Sequence, residues 1–288
     1  MGPFVVFRGM SARHALRQAG LYGRTVARVA QRGFRERGGD PVLATERIVF
    51  VVGSPRSGTT FLAGALGSQP GFVDLGEVRP VKSNIRRWAS LPEGEAAAEL
   101  RSTLERVRRL GFVRDLRPVE QTPELSFVVC AAVRAYPEAT VLHIMRDGRD
   151  VVCSLLERGW LREREGHDDA GQPYGAHVRS WVEPERRDEF THAREATRAA
   201  WAWRRYLTAA RAAPEHTLEI RYEEIAADPA AAAERIAGRL ETEAGPLADA
   251  LREVHSRSIG RWRRDLTPEQ IEDVEREAGP LLRELGYA

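Results

Sequence analysis

The chain has 288 residues, of which 42% are hydrophobic and 30% charged, with a formal net charge of +2. That length can bury a full core as one α/β domain or two small ones, and the composition excludes wholesale disorder. So small a net charge does not by itself suggest a nucleic-acid binder. The basic excess is local: residues 1–40 hold eight arginines against Glu36 and Asp40, and the remainder holds 36 basic and 40 acidic residues.

Lys82 is the one lysine, so any role that needs an amine falls to it or passes to arginine. Cys130 and Cys153 lie in apolar runs without metal-ligand spacing, which fits free thiols in a reducing compartment. The apolar run at residues 3–7 is too short for a signal sequence, and Val6 stands where myristoylation wants Ser or Thr. A soluble cytoplasmic protein is the expectation.

In chain order, residues 10–37 read as an arginine-rich helix with a patchy apolar face of Leu16, Ala19, Val26, Val29, Ala30 and Phe34, weakened at Gly20 and Gly23. Gly38, Gly39, Asp40 and Pro41 break it, giving a basic helical arm over 1–44 and a main domain over 45–288. The run RIVFVVG after Glu46 reads as a buried parallel strand, as do 140–145 and 217–221. Helical patterns cover 60–68, 93–110, 125–135, 151–158, 195–212 and 268–285. Alternation of this kind predicts an α/β fold, a P-loop-type parallel sheet flanked by helices on both faces. The charged segment 162–192, broken by Gly and Pro, is either a lid over a substrate or a surface insertion.

The segment Gly53-Ser-Pro-Arg-Ser-Gly58-Thr59-Thr60 joins the first strand to the first helix of this domain. In that context backbone N–H groups and the helix dipole converge on an anion. The spacing is that of a Walker A loop, but Thr59 occupies the lysine position and no strand ends in an isolated Asp. Both departures argue against an ordinary Mg²⁺-dependent kinase. Arg56 is the cation of this loop, and a group less charged than a triphosphate can be held so without metal.

PRSGTT, from Pro55 to Thr60, resembles the 5′-phosphosulfate loop of sulfotransferases that use 3′-phosphoadenosine 5′-phosphosulfate (PAPS), nearest to the tyrosylprotein and related bacterial enzymes. The resemblance covers roughly residues 46–285. It implies that Arg56, Ser57, Gly58, Thr59 and Thr60 hold the 5′-phosphosulfate. It also implies that Arg146 and Ser154, in RDGRDVVCS, grip the 3′-phosphate, with Arg158 one turn on. Tyr222 in RYEE is similar to a tyrosine beside the nucleotide. Ser258, Arg261 and Trp262 resemble a late loop over the 3′-phosphate and adenine, with Trp262 either stacking on the base or packing in the core.

Sulfuryl transfer needs a base and cations at the bridging oxygen. Glu77, followed by Arg79, matches the tyrosylprotein subgroup's glutamate base and nearby arginine. His143 lies inside an apolar strand and reads as a core histidine. Gln121 replaces the family's usual lysine, so leaving-group stabilisation rests more on Arg56, or Lys82, Arg114 or Arg117 fills the gap. The product would be 3′-phosphoadenosine 5′-phosphate (PAP), with no metal cofactor and no nucleic-acid partner. A small molecule, glycan, lipid or tyrosine stays open as acceptor. A divergent P-loop small-molecule kinase and a PAP-binding pseudoenzyme are the alternatives. The basic arm packs on the core or a subunit, docks on a membrane surface or partner, or forms a tail.

Overall fold

A computed structural model describes residues 12–33, 44, 46–164 and 168–287. The apolar run 3–7, Phe34, the break at 38–41 and residues 165–167 of the charged segment lie outside the described residues.

Strands β1 (Val49–Val52), β2 (Phe72–Gly76), β3 (Arg117–Glu120) and β4 (Thr140–Met145) precede a small antiparallel hairpin of β5 (Pro173–Tyr174) and β6 (His177–Val178). With β7 (Thr217–Arg221) they form a five-stranded sheet in the order β2-β3-β1-β4-β7, every pairing parallel. Side chains alternate across the sheet as strand geometry requires. Ile48, Phe50 and Val52 enter one core with Val29, Leu100 and Leu104. Val49 and Val51 enter the opposite one with Leu62, Leu66 and Ile236.

The first face is covered by α1 (Ala12–Gly33) and, across the chain, by the later helix Glu93–Leu110; the second carries α2 (Thr59–Gly67). Naming Glu93–Leu110 α3, the chain continues with α4 (Gly148–Arg158), α5 (Glu195–Ala210) and α6 (Pro268–Glu284). These last three enclose a third apolar cluster that includes Leu155, Trp201, Trp203, Tyr206 and Leu282. Helices therefore flank both faces, as the alternation of patterns predicts.

Two strands, β2 and β3, add to the three legible in sequence. Helix α4 starts at Gly148 rather than 151, because the Asp147 side chain caps it by accepting from Arg149 N at 2.9 Å. The 125–135 stretch opens as a 3₁₀ turn, Pro123–Val128, before helix Val129–Ala135. Helix α1 runs unbroken through Gly20 and Gly23, and Val29 is fully buried. The described part of the basic arm thus packs on the core. No helix among the described residues is long and apolar enough to cross a membrane.

Candidate active site

All five parallel strands deliver a residue of interest to the carboxyl edge of the sheet. Strand β1 feeds the 53–60 loop, β2 is followed by Glu77, β3 by Gln121, β4 by Arg146 and β7 by Tyr222. Order β3-β1-β4 makes the end of β1 a topological switch point, where open α/β sheets bind ligands.

The loop is held in a backbone that its glycines permit. Gly53 has φ 146°, and a Cβ there would stand 2.3 Å from the Ile144 carbonyl oxygen. Gly58 has φ 100°, with the Tyr222 ring 2.7 Å from where its Cβ would be. Arg56 takes φ 75° despite having a side chain, a strain of the kind found at binding loops. Helix α2 begins at once, Leu62 N donating to Gly58 O at 3.0 Å, without a side-chain cap. Its first N–H groups are free to meet an anion. Ser57 Oγ beside them is buried without a partner among the described residues.

Three arginines converge on this loop. Arg56 Nε donates to Ser154 Oγ at 2.9 Å, joining positions 98 residues apart. Burial, then Arg158 and Arg146, push the Arg56 guanidinium below its usual range. Arg146 Nη1 donates to Arg56 O at 3.4 Å and Nη2 to Ser258 O at 2.6 Å. Its guanidinium lies 4.8 Å from the Tyr222 ring centroid, and its Nε is buried without a partner among the described residues. The carboxylate nearest it is Asp150, at 4.0 Å, and that group is already engaged: it accepts from Gly260 N at 2.7 Å and Trp262 N at 3.0 Å. Trp203 fixes the turn below, its Nε1 donating to Arg146 O at 3.0 Å.

The late loop is less available than its sequence suggests. Arg261 is ion-paired with Glu157 and, at 2.7 Å, with Asp265. The Trp262 ring carries the guanidinium of Arg149 at 4.0 Å and of Arg263 at 4.6 Å. Ser258 Oγ donates to His255 O at 3.0 Å.

A second cluster lies beside the loop. Lys82 Nζ bridges Glu77 Oε2 at 2.8 Å and Glu124 Oε1 at 3.2 Å. Burial works against the Lys82 charge, but Glu124 and Glu77 overcome it and the ammonium titrates above its usual range. Burial pushes the Glu124 carboxyl up, with Lys82 pulling the other way. Thr60 Oγ1 donates to Gln121 Oε1 at 3.3 Å, tying the end of the 53–60 loop to β3's exit. Glu120, fully buried, is pushed up to about 7 by burial, against hydrogen bonds from Thr122 and Val78.

The β5–β6 hairpin brings a third set of groups to this cluster. His177 is pushed down to about 4 by burial and by the positive charge of Lys82, with Glu77 opposing and Arg17 and Arg79 adding to it. The Tyr174 hydroxyl is buried without a partner among the described residues, its ring 6.3 Å from that of Tyr206, whose hydroxyl is turned to Glu124. Asp169, salt-bridged to Arg179 at 2.9 Å and to Arg198, anchors the segment from within. Residues 168–192 are therefore built structure, with Tyr174 and His177 near enough to the cluster for its charges to act on them.

The family model of the sulfotransferase family matches residues 49–246. The chain belongs to the sulfotransferase family. No curated protein matches it. Among solved structures, the sulfotransferase domain from the curacin biosynthetic pathway aligns with a TM-score of 0.53 at 12% identity, over 82% of this chain and 97% of that one. Mouse sulfotransferase SULT7A1 complexed with PAP aligns with a TM-score of 0.50 at 15% identity, over 83% of this chain and 85% of that one. At such identities the likeness speaks for the fold.

Within this sulfotransferase, Arg56, Ser57, Gly58, Thr59, Thr60, Arg146, Ser154 and Tyr222 share one site, with Glu77, Lys82 and Gln121 beside it. Arg158 is exposed one turn beyond Ser154. Arg117 is not a substitute for the lysine absent at position 121. It sits at the amino end of β3, with Nη1 on Leu240 O at 2.6 Å and Nε on Arg47 O. His143 is a core residue, Nδ1 3.2 Å from Glu219 Oε1. Sequence reasoning missed Glu120, Glu124 and the hairpin. Two acids flanking a Gln-Thr-Pro turn were the one available signal for the first pair.

Proposed function

We propose that this sulfotransferase moves the sulfuryl group of PAPS to an acceptor hydroxyl by in-line transfer, with Glu77 as the base. The observation that carries the reading is the Arg56–Ser154 hydrogen bond, 2.9 Å, which unites the 53–60 loop with helix α4, the element that follows β4. Two anion grips side by side are what a 3′,5′-bisphosphorylated nucleotide requires. The unpartnered Ser57 Oγ and Arg146 Nε, and the uncapped start of α2, fit such a ligand.

Loop residues 56–60 would hold the 5′-phosphosulfate, and Arg146, Ser154 and Arg158 the 3′-phosphate. Tyr222, Ser258, Arg261 and Trp262 would border the nucleoside. When bound, PAPS supplies an activated sulfuryl group with a phosphate as leaving group. Lys82 holds one Glu77 oxygen. The other oxygen is left to take the proton of the acceptor hydroxyl. Arg56 balances the charge that builds on the leaving side. Arg79, Lys82 and Gln121 border the acceptor, which can be a small molecule, glycan, lipid or tyrosine.

Gln121 favours a second reading, PAP binding without turnover, because an amide offers no full charge at that position. Thermal shift with PAP, followed by PAPS turnover across an acceptor library, separates the two. Stabilisation by PAP with product formed supports transfer. A shift with ATP–Mg²⁺ but none with PAP would sink both readings and favour a divergent kinase.

A further inference from the structure

Strands β2 and β3 stop side by side, and the residues that matter lie just past their ends. Gly76 pairs with Glu120 after a slip in register at Asp74, and Gln121 N donates to Gly76 O at 3.3 Å. Gly76 has φ 67°, so the strand has already turned away from ladder geometry where Glu77 follows. Regular sheet pairing cannot fix Glu77 against Gln121 here.

The Glu120 carboxylate supplies the missing tie. Its Oε1 accepts from Val78 N at 3.3 Å and from the Thr122 hydroxyl, and its Oε2 accepts from Thr122 N at 3.0 Å. Val78 follows Glu77, and Thr122 follows Gln121. Three donors from two segments therefore meet on one fully buried side chain. A buried carboxylate is strongly disfavoured against an apolar residue of equal volume unless its bonds do something the apolar residue cannot.

We propose that Glu120 is a positioning residue that locks the Glu77 segment to the Gln121 segment, and so sets where the base stands relative to the phosphate loop. The proposal rests on Glu77 being the base. Glu120→Gln keeps the shape but turns an N–H pair toward donors, opening the tie. It should lower kcat about 10–100-fold, leaving KM for PAPS and the PAP dissociation constant within about twofold, since Arg146 and Ser154 are untouched. The deciding measurement is a double-mutant cycle with Glu77→Gln. If Glu120 acts through Glu77, Glu120→Gln costs less than about threefold more in the Glu77→Gln background. Equal costs in both backgrounds, or an unchanged kcat per folded molecule, overturn the proposal alone. An unchanged rate in Glu77→Gln overturns the base assignment and this proposal with it. Should Glu120→Gln not fold, Thr122→Val removes one of the three donors. It should lower kcat about threefold to tenfold with the same loss of effect in the Glu77→Gln background, and additivity there again overturns the proposal.

Discussion

Arg56 combines three properties that rarely coincide in one side chain: a left-handed backbone, half-burial among other arginines, and a hydrogen bond to Ser154. No acid among the described residues is bonded to it, which fits the anion-holding role proposed for it. Arg56→Ala should lower kcat about 10²–10³-fold while PAP still binds through Arg146, as measured by single-turnover assay and calorimetry. A kcat within threefold of the parent would remove Arg56 from the chemistry. Glu77→Gln should cost about 10²–10⁴-fold in rate with PAP affinity retained. At this scale the sequence drew attention to Arg56 through its strand–loop–helix setting, and to Arg146 and Ser154 through the resemblance of their string to the sulfotransferase one. The structure brings the three side chains together. Glu120 and Glu124 were illegible because an acid inside VEQTPEL looks like any surface acid until strand β3 and the 3₁₀ turn after it are known to be internal.

Among the elements, the strand–loop–helix of β1 and α2 could be read directly, since a continuous apolar run ending in glycine has few other interpretations. Strands β2 and β3 could not. RPVE carries charge at both ends and a proline within, yet it lies between β1 and β2. Each charged end is satisfied by distant backbone: Arg117 by Arg47 and Leu240 carbonyls, Glu120 by Val78 and Thr122 amides. Such partners lie 42–123 residues away or around a turn, beyond the reach of local pattern. The late loop shows the same logic. Its anchor is Asp150, whose two oxygens take Gly260 N and Trp262 N. Asp150→Asn can accept only one of these bonds without turning donors onto the other. We expect faster tryptic cleavage after Arg257, Arg261 or Arg263 and about tenfold weaker PAP binding, with unchanged helix content. Unaltered cleavage would mean that Arg146 alone holds the loop.

For the molecule as a whole, buried ionisable groups set a characteristic response to pH. Glu120 is raised to about 7 in the folded chain, so it binds its proton more tightly there than when unfolded. Its contribution is fully present below pH about 4.5 and is lost as pH rises through about 7, a cost of about 3 kcal/mol. His177, lowered to about 4, has the opposite sign: its contribution is present above pH about 6.5 and is lost as pH falls through about 4. The two oppose each other across most of the acidic range. Removing Glu120 should expose the other slope. Stability of Glu120→Gln relative to the parent should improve as pH goes from 5 to 8, read from urea midpoints at each pH. A constant difference would show that Glu120 does not titrate in that window.

Lys82 gives this architecture one more property. A chain whose basic residues are otherwise all arginine has a single side-chain amine, and it bridges Glu77 and Glu124. Mild reductive methylation with ¹³C-formaldehyde would therefore install one labelled side-chain dimethylamine, with the terminal amine as the other signal to assign. Its resonance would report on the pairing of the proposed base, without cysteine engineering, and follow nucleotide and acceptor binding from inside the site.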